Sequence, residues 1–73
     1  MQETGILFFD PQDGRFDIQY DSGGNYGGLH CGNCLEVLEN GAWQQTRMEY
    51  GDDNWYLVGI QTECLNGLQV RLP

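Results

Sequence analysis

Hydrophobic and polar side chains alternate along several short stretches of this chain, and turns rich in glycine, asparagine and aspartate separate the stretches. From Arg15 to Tyr20 the even-numbered residues are apolar or aromatic and the odd-numbered ones are polar. A period of two is typical of a β-strand with one buried face. The run from Ile6 to Phe9 is instead continuously apolar, which predicts a strand buried on both faces. The segment Asp10–Gly14 between them reads as a turn.

A β-hairpin is predicted in the middle of the chain, with Cys34–Glu39 as one strand and Ala42–Tyr50 as the other. Asn40-Gly41 joins them, and this pair favours the type I′ turn whose twist matches paired strands. The rival interpretation makes Cys34–Glu39 a short helix that ends at Gly41.

The hairpin register predicted from that turn places Leu38 opposite Trp43 and Val37 opposite Gln44. Trp43 and the later Met48 then fall on opposite faces of the strand. A β-bulge at Gln44-Gln45 would bring both onto one face, so we expect a bulge there.

The rest of the chain continues in short pieces. Gly51–Asn54 is a predicted turn, Trp55–Ile60 a strand, Asn66-Gly67 a second turn and Leu68–Leu72 a last alternating strand. The sequence therefore predicts one all-β domain, residues 1–73, with five to six short strands. We expect a small antiparallel SH3-like barrel or two small packed sheets, with room for one short helical turn.

Charge narrows the choice of partners. Eleven acidic residues face three arginines and no lysine, which gives a formal net charge of −8. Nucleic acid and anionic membranes are bound by clustered cations, so we expect neither as a direct partner. The acidity favours solubility, and the alternative function it allows is that of an acidic mimic of nucleic acid that inhibits a basic protein.

The N-terminal segment and the cysteines indicate the cellular compartment. Residues 1–9 lack a basic region followed by a long apolar one, so no signal peptide is predicted. No apolar run approaches the roughly 18 residues of a membrane span. Three cysteines are an odd number, which fits reduced thiols better than a disulfide framework. We expect a cytoplasmic protein.

A zinc site is the sharpest chemical hypothesis. Cys31 and Cys34 have the C-x-x-C spacing that turns two thiolates toward one metal, and His30 and Cys64 are the available further ligands. The spacing departs from usual zinc sites because Cys64 has no close partner and His30 is adjacent to Cys31. We therefore predict that the thiols are small buried groups and that the domain has no cofactor, with the zinc site as the alternative.

Catalysis has no recognisable motif here. The Gly23–Gly28 segment lacks the lysine of a phosphate-binding loop, and the single histidine has no marked partner. We therefore predict a non-enzymatic module that binds an unidentified protein, as a monomer or a weak homodimer. Its candidate binding residues are aromatic, although core packing is the alternative role for both tryptophans. They are Tyr26, Trp43, Trp55 and Tyr56.

Several short motifs occur in an order that resembles a family of short bacterial domains of unknown function, common in Gram-positive genomes and their phages or mobile elements. The resemblance covers residues 26–72. It implies a cytoplasmic, β-rich bacterial protein and no assigned activity. Cys34 departs from the family pattern, which centres on Cys31, and this weakens the zinc hypothesis. The motifs are Leu29-His-Cys-Gly32, Leu35-Glu-Val37, Trp43, Thr46-Arg47-x-Glu49, Trp55-Tyr-Leu-Val-Gly59 and Leu65-x-Gly67-Leu-x-Val-Arg71.

Overall fold

Six antiparallel strands form one curled sheet, a half-barrel, in a computed structural model that describes residues 3–62 and 64–72. The predicted domain, residues 1–73, also includes four residues outside the described part: Met1, Gln2, Glu63 and Pro73. The all-β prediction with five to six strands is confirmed, and the described residues contain no helix. The strands are β1 (Thr4–Asp10), β2 (Arg15–Tyr20), β3 (Cys34–Glu39), β4 (Ala42–Gly51), β5 (Asn54–Leu57) and β6 (Gln69–Arg71).

The sheet order is β2-β1-β6-β3-β4-β5. Two hairpins, β1–β2 and β3–β4, are joined through the short β6, which pairs with β1 on one side and β3 on the other. Asn40 and Gly41 have φ values of 52° and 80°, as the predicted type I′ turn requires. Asp52 and Asp53 make a second such turn between β4 and β5, with φ values of 52° and 62°.

One face of the sheet carries the core. Its fully buried side chains are contributed by every strand and by the segment before β3, where Leu29 is completely enclosed. The other face has no second layer of described residues. The buried apolar residues are Leu7, Phe16, Ile18, Leu29, Leu35, Val37, Met48, Leu57 and Val70.

The prediction that Ile6–Phe9 is buried on both faces was wrong. Leu7 is fully buried, but Ile6 and Phe9 each remain 39% exposed. A continuous apolar run is typical of a strand that lies between two layers. The prediction failed because β1 lies in a sheet that is covered on one face only.

The central hairpin has the predicted register. Leu38 pairs with Trp43 and Val37 with Gln44, and the helical alternative for Cys34–Glu39 is excluded. The expected bulge at Gln44-Gln45 was wrong, because pairing runs unbroken from Glu39–Ala42 to Cys34–Arg47. Trp43 therefore lies on the outer face, opposite to Met48.

The predicted strand Trp55–Ile60 is shorter than expected. It ends at Leu57 because Gly59 takes a φ of +77° and the Ile60 N–H donates to the Leu57 carbonyl, which closes a turn. No helix among the described residues is long and apolar enough to cross a membrane.

Segment 24–29 covers the outer edge of β2. Tyr20 N–H donates to the Gly24 carbonyl, Tyr26 N–H to Ile18 and Leu29 N–H to Phe16, at 3.0, 3.0 and 2.7 Å. These hydrogen bonds satisfy an edge that would otherwise be open to pairing with another chain.

A buried carboxylate fixes that segment. Asp17 lies on β2 with only 6% of its surface exposed. Its Oδ1 accepts hydrogen bonds from the N–H groups of Ile18, Gly27 and Gly28 at 2.8, 2.9 and 2.9 Å. Both glycines have positive φ, a conformation that costs glycine little and orients their N–H groups toward one acceptor.

We expect Asp17→Ala to destabilise the fold by about 3 kcal/mol, because each buried N–H left without an acceptor costs about 1–3 kcal/mol. Asp17→Asn keeps an acceptor oxygen and should lose less. Urea unfolding followed by tryptophan fluorescence measures both. Asp10→Ala, which removes an acceptor for the Gln12 N–H at an exposed site, is the control. An Asp17→Ala loss no larger than that of the control would contradict the role assigned to the carboxylate.

Close approach of two backbones makes a second site sensitive. A Cβ on Gly5 would lie 2.5 Å from the Gln19 carbonyl oxygen and 2.8 Å from Ile18 Cγ2, whereas one on Gly51 meets only a Tyr56 ring carbon at 3.5 Å. We expect Gly5→Ala to cost about 1–3 kcal/mol, as overpacking does, and Gly51→Ala to cost much less. Equal unfolding midpoints for the two variants would refute the packing of β1 on β2.

Candidate functional site

Two hairpins each present an aromatic cross-strand pair on the inner face, close to the turn. Phe9 pairs with Phe16 in β1–β2, and Tyr50 pairs with Trp55 in β4–β5. Both pairs pack edge to face, with ring centroids 5.3 and 4.9 Å apart and interplanar angles of 67° and 63°. This geometry is the one that aromatic quadrupoles favour.

The two pairs meet at the open end of the half-barrel and line a cleft of about 440 Å³. Three of the four rings are accessible: Phe9 is 39% and Tyr50 50% exposed, and Trp55 is half-buried. Polar groups of two turns and of the segment before β6 complete the walls. We call this the aromatic cleft, lined by Phe9, Gly14, Phe16, Tyr50, Asp53, Asn54, Trp55, Cys64, Leu65 and Asn66.

Trp55 holds the two hairpin ends together. Its indole Nε1–H donates to the Gly14 carbonyl oxygen at 3.1 Å, which links β5 to the turn between β1 and β2. The Arg15 guanidinium lies 6.0 Å from the centroid of the same ring. On the opposite wall, the Asn66 side-chain oxygen accepts from the Phe9 N–H at 2.7 Å. Hydrogen bonds therefore anchor both walls and fix the shape of the cleft.

The four aromatic residues predicted from the sequence do not share one surface. Trp55 lines the cleft, but Tyr56 follows it on the same strand and lies on the outer face. Trp43 is also on the outer face, where its ring stacks on the Arg71 guanidinium at 4.2 Å. Tyr26 is exposed in the segment that borders β2.

Sequence reasoning missed three of the four aromatic residues of the cleft, which are Phe9, Phe16 and Tyr50. The signal was present, because Phe9 and Phe16 flank one predicted turn and Tyr50 and Trp55 flank another. Pairing each set across its own turn would have placed two aromatic pairs at hairpin ends. What the sequence does not supply is the contact between the two hairpins.

The proposed zinc ligands are not brought together. Cys34 borders a groove between β3 and β4, and Cys64 lines the aromatic cleft. Among residues 3–62 and 64–72, no three side chains of His, Cys, Asp or Glu are close enough to hold a metal ion, so His30, Cys31, Cys34 and Cys64 form no such set. The expectation that the thiols are buried was wrong: all three are exposed.

All three arginines are paired with a carboxylate. Arg71 contacts Glu36 at 2.9 Å, Arg47 contacts Glu49 at 2.8 Å, and Arg15 lies 3.5 Å from Asp13. Their positive charge is locally balanced, so the remaining acids set the sign of the electric field around the domain.

One titrating group near the β2 edge is perturbed. Burial raises the pKa of Tyr20, and the nearby Glu3, Tyr26 and Asp17 raise that pKa further. Tyr20 packs against the core but does not line the aromatic cleft. The raised pKa of Tyr20 is therefore a consequence of its packing at the β2 edge and is not a feature of the cleft.

Comparison with known proteins places the chain in a family. A crystal structure of a protein from Ruminococcus gnavus is similar, with 49% identity and a TM-score of 0.87, and the match covers 94% of this chain and 99% of that one. Among curated proteins no match was found. The family described as Domain of unknown function (DUF5348) matches residues 5–72, and the chain belongs to that family.

Proposed function

We propose that this chain is a non-enzymatic protein-interaction module that binds a segment of a partner protein in the aromatic cleft. The observation that carries the proposal is the exposure of Phe9, Tyr50 and Trp55 at the end of the core. Exposed aromatic side chains that line one concave surface mark a candidate site of contact. Tyr and Trp are also the residues that most often dominate binding energy.

The dimensions and rigidity of the cleft support this role. A volume of about 440 Å³ lies in the range of roughly 300–1,000 Å³ found for small-ligand sites, enough for one or two side chains of a partner. Because Trp55 and Phe9 are fixed by hydrogen bonds to Gly14 and Asn66, little conformational entropy is lost on binding.

The chain offers a matched pair of variants. Tyr50 and Tyr56 are 50% and 46% exposed, but Tyr50 lies in the cleft and Tyr56 on the outer face. Threonine keeps the β-propensity of either position. We expect the tagged wild type and Tyr56→Thr to capture the same protein from host lysate, and Tyr50→Thr to lose it, when captured proteins are identified by mass spectrometry.

Thermal unfolding of both variants checks that each is folded, and Phe9→Thr provides an independent change on the opposite wall of the cleft. The cleft would be refuted as the binding site if the partner is still captured by both Tyr50→Thr and Phe9→Thr. It would also be refuted if Tyr56→Thr alone or Tyr26→Thr alone abolishes capture. If the wild type retains no protein, the proposed function is refuted as well.

A further inference from the structure

The charge on the lining of the aromatic cleft is negative, and the nearby Arg15, 6.0 Å from the Trp55 ring, is paired with Asp13. Asp53 is the only charged side chain among the described residues that line it, and Asp52 precedes it in the same exposed turn. The chain as a whole carries a formal charge of −8. A cationic group of a partner is therefore attracted to this end of the half-barrel, and an anionic one is repelled.

The aromatic rings favour the same kind of occupant. The faces of Trp and Tyr rings carry negative charge density and attract ammonium and guanidinium groups. This chain already uses that attraction twice, with Arg71 over Trp43 at 4.2 Å and Arg15 near Trp55 at 6.0 Å. In the cleft, however, Tyr50 is half exposed, and no described arginine stacks on its ring.

Size and polarity distinguish a cationic side chain from a purely apolar one. Lysine and arginine carry an alkyl stem that packs on apolar surface while the charged end stays polar. The cleft has both parts, since Phe9, Tyr50 and Trp55 form an apolar wall and Asp53 and Asn54 lie at its rim. A proline-rich segment would use only the aromatic wall and would gain nothing from Asp53.

We propose that the aromatic cleft binds a lysine or arginine side chain of the partner, with its alkyl stem against the rings of Phe9, Tyr50 and Trp55 and its charged end beside the Asp53 carboxylate. This inference rests on the proposed function, because it specifies the chemistry of the segment that the module binds. It makes the partner a basic protein segment.

Peptide selection tests the inference while the partner is still unidentified. Random 12-residue peptides displayed on phage are selected on the immobilised wild-type domain, and binders that Tyr50→Thr still retains are removed. We expect the remaining peptides to share a lysine or arginine. Their dissociation constants are then measured by fluorescence anisotropy at physiological salt.

Two neutral substitutions isolate the charge. Replacing the shared arginine with citrulline keeps the shape of the side chain and removes its charge. Replacing the shared lysine with norleucine keeps the alkyl stem and removes the ammonium group. We expect binding to weaken about tenfold, because the neutral side chain loses its attraction to the Asp53 carboxylate and to the aromatic rings. Binding should also weaken as salt is raised, because the attraction is screened.

A matched pair of domain variants shows which carboxylate of the domain contacts the cationic side chain. Asp53→Asn and Asp52→Asn remove the same charge from neighbouring positions of one turn, and asparagine tolerates the positive φ of both. Only Asp53 lines the cleft, so Asp53→Asn should weaken binding several-fold more than Asp52→Asn does. The two variants should unfold at similar temperatures.

The outcomes separate the two proposals. If selected peptides carry no shared cation, or if citrulline, norleucine and Asp53→Asn leave the dissociation constant unchanged, the cationic occupant is refuted while the cleft remains a protein-binding site. If every peptide that binds the wild-type domain also binds the Tyr50→Thr domain, the proposed function itself is refuted, and the cationic occupant with it.

Discussion

A sheet one layer thick has one face on which to bury its apolar side chains, and the rest of this structure depends on that constraint. Every strand contributes to the same core, and curling brings the two ends of the sheet toward each other around it. A short chain buries a smaller share of its surface than a large one, so the core cannot reach both ends of the half-barrel. The aromatic cleft lies at the end that the core leaves open.

Two local sets of hydrogen bonds fix the ends of the sheet. The Asp17 carboxylate gathers three backbone N–H groups and so keeps segment 24–29 against the β2 edge. Trp55 donates to the Gly14 carbonyl and ties the far strand to the first turn. The second contact also forms one wall of the cleft, so the geometry of the candidate site and the closure of the fold have the same cause.

Most strands could be predicted from local sequence patterns, whereas the contacts between strands distant in sequence could not. Asn40-Gly41 fixed the central turn and with it the register of β3 and β4, because few residue pairs accept two positive φ values. The face of Trp43 was predicted wrongly, since the bulge was introduced to place an aromatic ring in the core. The ring lies outside and stacks on Arg71, a contact between strands that are distant in sequence. The same holds for the candidate site. Trp55 was predicted as a site residue, but the cleft that it forms with Phe9 depends on the curl of the sheet, which the sequence does not show.

The central claim is that binding occurs at the open end of the inner face and not on the outer face. The two tryptophans provide one indole probe for each face, since Trp55 lines the cleft and Trp43 stacks on Arg71 outside it. The most direct test is a ¹H–¹⁵N NMR titration of the labelled domain with a captured partner segment, following the two indole N–H signals. The account predicts that the Trp55 signal moves and the Trp43 signal stays. Movement of Trp43 with Trp55 unchanged would contradict it.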